Sequence, residues 1–100
     1  MSYGLHGKFT ATPGNGPALL QILLQAAEGL RQNADCLIYL VSSQPGEPDA
    51  VWVSEVWTSQ AAHQASLGDE ATRTLIAEAR PLIAAISDRV ELAPQGGKGL

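Results

Sequence analysis

A run of leucine and alanine at helical spacing limits the folds open to this chain more than any other part of its sequence. The polar residues of the same stretch fall on the opposite side, and Pro17 suits the first position of a helix. We therefore predict an amphipathic helix over about residues 17–32, with one face buried against a sheet or another helix. The apolar positions are Leu20, Leu23, Leu24, Ala27 and Leu30, and the polar ones are Gln21, Gln25, Glu28 and Gln32.

Runs of β-forming residues precede and follow this helix. Residues 3–11 read as a strand weakened by Gly4 and Gly7, with Leu5 and Phe9 on the face opposite His6. Residues 36–41 and 51–57 read as two further strands. The Pro- and Gly-rich loop of about nine residues between them predicts an antiparallel hairpin.

A second helical region follows the hairpin. Thr58 or Ser59 can cap a helix that starts near Gln60, and Asp69 can cap a longer helix after the interruption at Gly68. Pro81 lies inside the apolar pattern of that longer helix and costs ~3 kcal/mol there, so we expect a kink or a break. Residues 89–92 read as the last strand, and residues 93–100 are a Gly-rich tail. The apolar positions assigned to the longer helix are Leu75, Ile76, Ala79, Leu82, Ile83 and Ile86.

The order of these elements is β-α-β-β-α-β, which predicts a ferredoxin-like α+β fold with a four-stranded antiparallel sheet. One hundred residues suffice for one domain, which we place over residues 1–100. The second and third strands carry apolar residues on both faces, although an antiparallel sheet covered on one side should be polar on the other. We therefore expect the bare face to meet a second copy of the chain in a homodimer.

Composition narrows the range of partners. The formal net charge is −4 and the pI is about 4.9, which opposes nucleic-acid binding and a basic membrane-binding surface. The single cysteine allows no intrachain disulfide, and no apolar stretch approaches the ~20 residues that span a bilayer. With no signal-peptide pattern at the start of the sequence, we expect a soluble, cytoplasmic protein.

Motifs for bound cofactors and metals are missing from the sequence. His6, His63 and Cys36 lie far apart and lack the short spacings of zinc or iron sites. No Gly-x-Gly-x-x-Gly follows a strand, and no Gly-x-Ser-x-Gly elbow occurs. Cys36 opens an apolar strand and is interpreted as a small buried hydrophobe. We therefore expect neither a metal nor an organic cofactor.

The stretch Val53 to His63, which contains Glu55-x-Trp57 followed by His63, resembles the Glu-x-Trp…His signature of the antibiotic biosynthesis monooxygenase (ABM) family. Further pieces over most of the chain are similar to that family in order and spacing. They are Pro13-Gly14, Asn33 to Cys36, Ala79 to Ile83 and Gly96 to Gly99.

This resemblance implies a dimeric α+β barrel with one pocket per subunit between the sheet and the helices. The family includes cofactor-free quinol oxygenases, haem-degrading enzymes and some isomerases. Haem degradation is less favoured, because the axial histidine would lie further along the helix than His63. The residue ten positions after Trp57 is Leu67, and the strand asparagine of that branch has no counterpart.

An oxygenase without a cofactor needs an electron-rich phenolate or quinol anion that can reduce O₂ itself. The protein must then supply an apolar slot, a base for the substrate hydroxyl and exclusion of water. We assign His63 as the base, because a histidine titrates near neutral pH. Trp57 is assigned as a wall of the slot, because the six-residue separation of the two crosses the junction of strand and helix and lets both face one cavity. Glu55, His6 and Arg80 are the candidate substrate-binding residues. The predicted function is monooxygenation of a quinol or hydroxylated aromatic molecule by O₂.

Each candidate residue also has a purely structural interpretation. Trp57 can be a core or interface anchor, His63 an exposed residue in a first helical turn, and Glu55 a partner of Arg73 or Arg80. The alternatives for the whole protein are an isomerase or a non-catalytic module that binds a small ligand on the same dimeric scaffold. Tyr39 and Trp52 are interpreted as core residues.

Overall fold

A computed structural model describes residues 2–100 of the chain. The elements are β1 (Tyr3–Ala11), α1 (Gly16–Gly29), β2 (Cys36–Gln44), β3 (Glu47–Trp57), α2 (Gln60–Ser66), α3 (Glu70–Ala79), a 3₁₀ turn (Arg80–Leu82) and β4 (Ile83–Leu92). The four strands form one antiparallel sheet in the order β2-β3-β1-β4, so the chain has the ferredoxin-like α+β fold that the sequence predicts.

The core lies between the helices and one face of the sheet. Leu19 and Leu23 from α1 pack with Val51 and Val53 from β3 and with Ala79 at the end of α3. From Val51 onward, odd-numbered residues of β3 therefore face the helices and even-numbered ones face away, because side chains alternate along a strand.

A side chain of β3, the Asp49 carboxylate, binds the backbone at the start of α1. The backbone N–H groups of Gly14 and Gly16 donate to the Asp49 carboxylate at 3.1 and 2.9 Å, whereas Asn15, at the cap position, makes no side-chain cap bond. Gly16 lies so close to Pro48 that a Cβ there would overlap the Pro48 carbonyl oxygen. The helix ends at Gly29, three residues earlier than predicted.

The β2–β3 hairpin is longer, and its turn tighter, than the sequence indicated. Only Pro45 and Gly46 separate the two strands, and Gly46 has a φ of +85°, which a glycine adopts without strain. The loop of about nine residues was therefore a wrong prediction. Polar Ser42–Gln44 pair with Trp52, Val51 and Glu47 because the ladder hydrogen bonds of the hairpin outweigh their weak strand propensity, whereas Pro48 to Ala50 have no partner in β2.

Pro81 breaks the second helical region, as expected. Helix α3 stops at Ala79, since proline offers no N–H and its ring clashes with the preceding turn. Ile83 and Ile86, which we assigned to the helix, belong to β4. The two predicted caps are confirmed: Ser59 accepts from Ala62 N–H at 3.0 Å, and Asp69 accepts from Thr72 N–H at 3.3 Å.

The sheet face opposite the helices, here called the open face, carries apolar residues without cover. Leu40 is 55%, Val90 44% and Leu92 52% exposed. Beside them His6 stacks on Trp52 with ring centroids 5.4 Å apart. Across the part of the chain that is described, every helix is too short or too polar to cross a membrane.

Candidate functional site

A largely apolar cavity of about 290 Å³ lies between the helices and the sheet. Helices α1 and α3 supply most of its apolar wall, and the four strands supply its floor. The polar side chains that reach it are few, as in most small-molecule sites. Those polar residues are Tyr39, Glu55, His63, Ser66, Thr72 and Arg80.

Glu55 and His63 form the charged part of the wall. His63 Nε2 lies 3.8 Å from Glu55 Oε1, and the two side chains are only 10% and 16% exposed. Ser59 places His63, because its hydroxyl caps the first turn of α2 and so turns the fourth residue of that helix toward the sheet. His63 is therefore buried, and its interpretation as an exposed helix residue is wrong.

Trp57 contacts both Glu55 and His63. Its indole Nε1–H donates to Glu55 Oε1 at 3.0 Å, and its ring meets the His63 ring edge-on at a centroid distance of 5.6 Å. Trp57 is 1% exposed and is not among the residues that line the cavity. It supports the acid–base pair and does not form the wall that we expected.

Burial raises the pKa of the Glu55 carboxyl above its ordinary value. The indole hydrogen bond, His63 and Arg89 each act in the opposite direction and favour the carboxylate. The Nδ1 atom of His63 is buried without a hydrogen-bond partner in residues 2–100. An orphaned ring nitrogen beside a cavity is suited to a bond with a bound molecule.

Two tyrosines also lie at the site, and neither belongs to a motif that the sequence analysis identified. Tyr39 lines the cavity and pairs across the sheet with Glu55. Burial, reinforced by the Glu55 carboxylate, raises the pKa of the Tyr39 phenol, which therefore stays protonated as a hydrogen-bond donor. Tyr3 packs on the His63 ring at 5.5 Å and donates to Glu91 Oε2 at 2.7 Å.

The other two expected substrate-binding residues lie in different places. Arg80 lines the cavity at its exposed end. His6 is not among the residues lining this cavity: its Nδ1 lies 2.7 Å from Ser54 Oγ and its ring stacks on Trp52, on the open face. Strand alternation separates it from Glu55, because Leu5, its neighbour in β1, is the residue paired with Glu55.

The donor set does not suit a metal ion. Among the residues described, no three His, Cys, Asp or Glu side chains come together as ligands. Burial raises the pKa of the Cys36 thiol to about 11, so the thiolate that binds metals or attacks substrates is disfavoured. Glu55 and His63 remain the titratable pair with the closest contact at this cavity.

Fold and cavity together define a ferredoxin-like domain with a buried acid–base pair facing an apolar pocket. Residues 2–78 match the family model described as antibiotic biosynthesis monooxygenase, and the chain belongs to that family. A provisionally named antibiotic biosynthesis monooxygenase from Chloroflexus aurantiacus J-10-fl has a similar structure, with 45% sequence identity and a TM-score of 0.88. The alignment covers 97% of this chain and 96% of that one.

More distant structures share the fold. A Pseudomonas aeruginosa protein is 21% identical over 95% of each chain, with a TM-score of 0.84. SnoaB from Streptomyces nogalater, a cofactor-independent oxygenase, is 11% identical, with 97% of this chain and 96% of that chain covered and a TM-score of 0.80. The comparison with curated proteins gave no match.

Proposed function

We propose that the protein is a cofactor-independent monooxygenase that acts on a quinol or another hydroxylated aromatic molecule. The observation that carries the proposal is the buried Glu55–His63 pair, 3.8 Å apart, at the wall of an apolar cavity of about 290 Å³. Such a site can remove the proton of an aromatic hydroxyl and keep the resulting anion away from water. Family membership and the cofactor-independent oxygenase SnoaB are consistent with it.

His63 is the proposed base. It takes the proton of the substrate hydroxyl and becomes an imidazolium, which the Glu55 carboxylate stabilises from its Nε2 side. Trp57 is a positioning residue, because it fixes the Glu55 carboxylate by a hydrogen bond and the His63 ring by an edge contact.

The anion then reacts with O₂ by electron transfer. One electron passes from the substrate anion to O₂, which oxidises the substrate to a radical and reduces O₂ to superoxide. The two radicals form a carbon–oxygen bond at a ring or benzylic carbon that still bears hydrogen, and the peroxide takes up the proton held by His63. Loss of that C–H proton and cleavage of the O–O bond release water and leave a carbonyl. One oxygen atom enters the product, the other enters water, and no outside reductant is consumed.

Arg80 and Tyr39 are proposed to bind and orient the substrate. The Arg80 guanidinium stands at the exposed end of the cavity, where it can contact an anionic or hydroxyl substituent. The protonated Tyr39 phenol can donate a hydrogen bond to a substrate oxygen.

Oxygen uptake by metal-free protein with a panel of quinols and polyhydroxylated aromatics tests the proposal. We expect His63→Gln, which keeps the side-chain size but cannot serve as the base, to lower kcat by about 10²–10⁴. Gln64→Ala, an exposed change one residue along α2, is the matched control and should keep full activity. Uptake that survives His63→Gln refutes the assignment of the base.

The same pair could move a proton between two positions of one substrate, so an isomerase is the second candidate. Absence of protein-dependent uptake, combined with conversion of a substrate under argon, would favour it. Ligand binding without any conversion would favour a non-catalytic binding module.

We also propose that two chains pair through the open face of the sheet. Its three most exposed apolar side chains, Leu40, Val90 and Leu92, are between 44% and 55% accessible in the single chain. Uncovered apolar patches of this kind mark association surfaces in proteins.

A further inference from the structure

Gly7 occupies the middle of β1 for no steric reason. A Cβ at this position would meet its nearest neighbour, the Arg89 Cα, at 3.6 Å, which is ordinary contact. Its φ is not in the left-handed region, unlike those of Gly14 and Gly46. Glycine weakens a strand, and inside one it often marks a place where a ligand approaches the backbone.

A β-bulge faces this glycine. The register of β1 with β4 passes from His6–Val90 to Lys8–Ser87, which leaves one extra residue in β4 opposite Gly7. Asp88 there has a φ of +52°, in the left-handed region that asparagine and aspartate tolerate best. Bulges redirect side chains and are common beside active sites, and this one sets Arg89 over Gly7.

The missing side chain of Gly7 leaves a recess of about 70 Å³. It is several times larger than the roughly 10–15 Å³ that one water requires. Leu5, Phe9, Val53 and Ile86 make its walls apolar. His6 also borders the recess, although its ring is stacked on Trp52 on the open face.

The recess adjoins the larger cavity and is bordered by two charged side chains. Phe9, Glu55 and Ile86 line both spaces, so a molecule in the recess lies next to one in the cavity. Glu55 and Arg89 both border the recess. In residues 2–100, Arg89 makes no ion pair within 4.0 Å and no side-chain hydrogen bond, so its guanidinium is available to a small anion.

We infer that the recess over Gly7 is the dioxygen subsite and that Arg89 stabilises the superoxide formed there. This inference rests on the proposed function, because electron transfer requires the substrate anion in the adjoining cavity. The apolar walls favour uncharged O₂ over water. Once one electron has passed from substrate to O₂, the product is an anion, and the guanidinium lowers its free energy. Arg89 therefore assists the reduced state and leaves the weak binding of O₂ unchanged.

Paramagnetic relaxation detects dioxygen in the recess without turnover. Dissolved O₂ speeds the relaxation of nearby methyl protons, measured by NMR under oxygen and under argon. Val53 borders the recess and Val51 does not, although both lie in β3 and are 4% and 1% exposed. We expect a larger effect at Val53 in the wild type, reduced to the Val51 level by Gly7→Ala. Equal effects at the two valines in the wild type overturn the subsite.

Kinetics test the role of Arg89. Gly7→Ala should raise the KM for O₂ several-fold and leave the KM for the aromatic substrate unchanged, because the added methyl fills only the recess. Arg89→Met should lower kcat/KM for O₂ by about tenfold, less than the loss of a fully buried oxyanion donor, since solvent screens this exposed side chain. Arg73→Met, which removes the same charge from the outer side of α3, is the matched control and should have no effect.

The outcomes separate the inference from the function on which it rests. Uptake that is active in the wild type and insensitive to both Gly7→Ala and Arg89→Met overturns the inference and leaves the monooxygenase intact. No uptake by the wild type with any substrate refutes the monooxygenase and the role of Arg89 together. The relaxation difference between Val53 and Val51 still decides whether the recess takes up O₂.

Discussion

Glu55 holds a charge that the fold disfavours. Burial raises the pKa of its carboxyl, and a raised pKa means that the folded chain binds the proton more tightly than the unfolded chain does. The stabilising contribution of this group is therefore complete below the ordinary glutamate pKa of 4.5 and is lost as the pH rises through the raised value. Placing the Glu55–His63 pair beside an apolar cavity therefore lowers the stability of the folded chain at neutral pH, because the Glu55 carboxylate is desolvated there.

Glu55→Gln should separate stability from activity. The amide oxygen still accepts from the Trp57 indole but carries no charge, so we expect stabilisation on the order of 1 kcal/mol at pH 7 that vanishes near pH 4. Oxygen uptake should fall, because the His63 imidazolium loses its partner. Thermal unfolding across pH 4–8 measures the first effect.

Glu28→Gln is the matched control for that experiment. Glu28, near the end of α1, pairs with Arg31 at 2.7 Å, and the two side chains are 70% and 73% exposed. Its removal should change the stability by less than about 0.5 kcal/mol at any pH. If the two variants showed the same pH dependence of stability, burial of Glu55 would not be the cause.

At the scale of elements, α1 is fixed more firmly at its first residue than at its last. Gly16 approaches Pro48 without room for a Cβ, whereas Gly29 has no neighbouring atom within 4 Å of one. We expect Gly16→Ala to lower the free energy of unfolding by about 3 kcal/mol or more, because the α1–β3 contact must open. Gly29→Ala should be neutral or stabilising by up to ~1 kcal/mol. Chemical denaturation of both variants measures the difference, and similar values would contradict the close contact.

Most of the helices and strands could be predicted from the sequence, but their register could not. Periodicity and capping residues predicted β1, α1, both later helices and the break at Pro81, since each depends on neighbours in sequence. The register of the β2–β3 hairpin could not be predicted from these local patterns. Gln44 pairs with Glu47 but Ser43 pairs with Val51, so β3 contains three extra residues near its start. Counting back from the turn would have placed Tyr39 opposite Trp52 instead of Glu55.

The candidate site divides in the same way. Glu55, Trp57 and His63 lie within nine consecutive residues, and local strand and helix geometry was enough to bring them together. Tyr39 depended on the irregular register, and Tyr3 on the docking of α2 over β1. Arg89 depended on a bulge in β4, a strand that we had begun six residues too late. Such placements come from tertiary structure and leave no periodic signal in the sequence.

The whole molecule has an apolar cavity on one side of its sheet and an uncovered apolar face on the other. If two chains pair through the open face, a charge placed there should separate them. We expect Leu40→Glu to convert a dimer into a monomer that keeps its helical content, since Leu40 is 55% exposed and outside the core. Sedimentation velocity measures the mass. Leu37→Glu, at an exposed leucine whose side chain borders a groove beside α1, is the control.

The two tryptophans of β3 report on these two sides separately. Trp57 is sealed behind the helices with its ring edge on His63, and Trp52 lies on the open face beneath His6 and Lys8. A histidine quenches indole emission most strongly when it is protonated. With Trp52 replaced by phenylalanine, the remaining fluorescence should follow proton transfer to His63. With Trp57 replaced instead, and with all spectra taken at one pH because His6 stacks on Trp52, it should follow the proposed pairing of two chains. One strand thus carries two optical reporters, one for the chemistry and one for assembly.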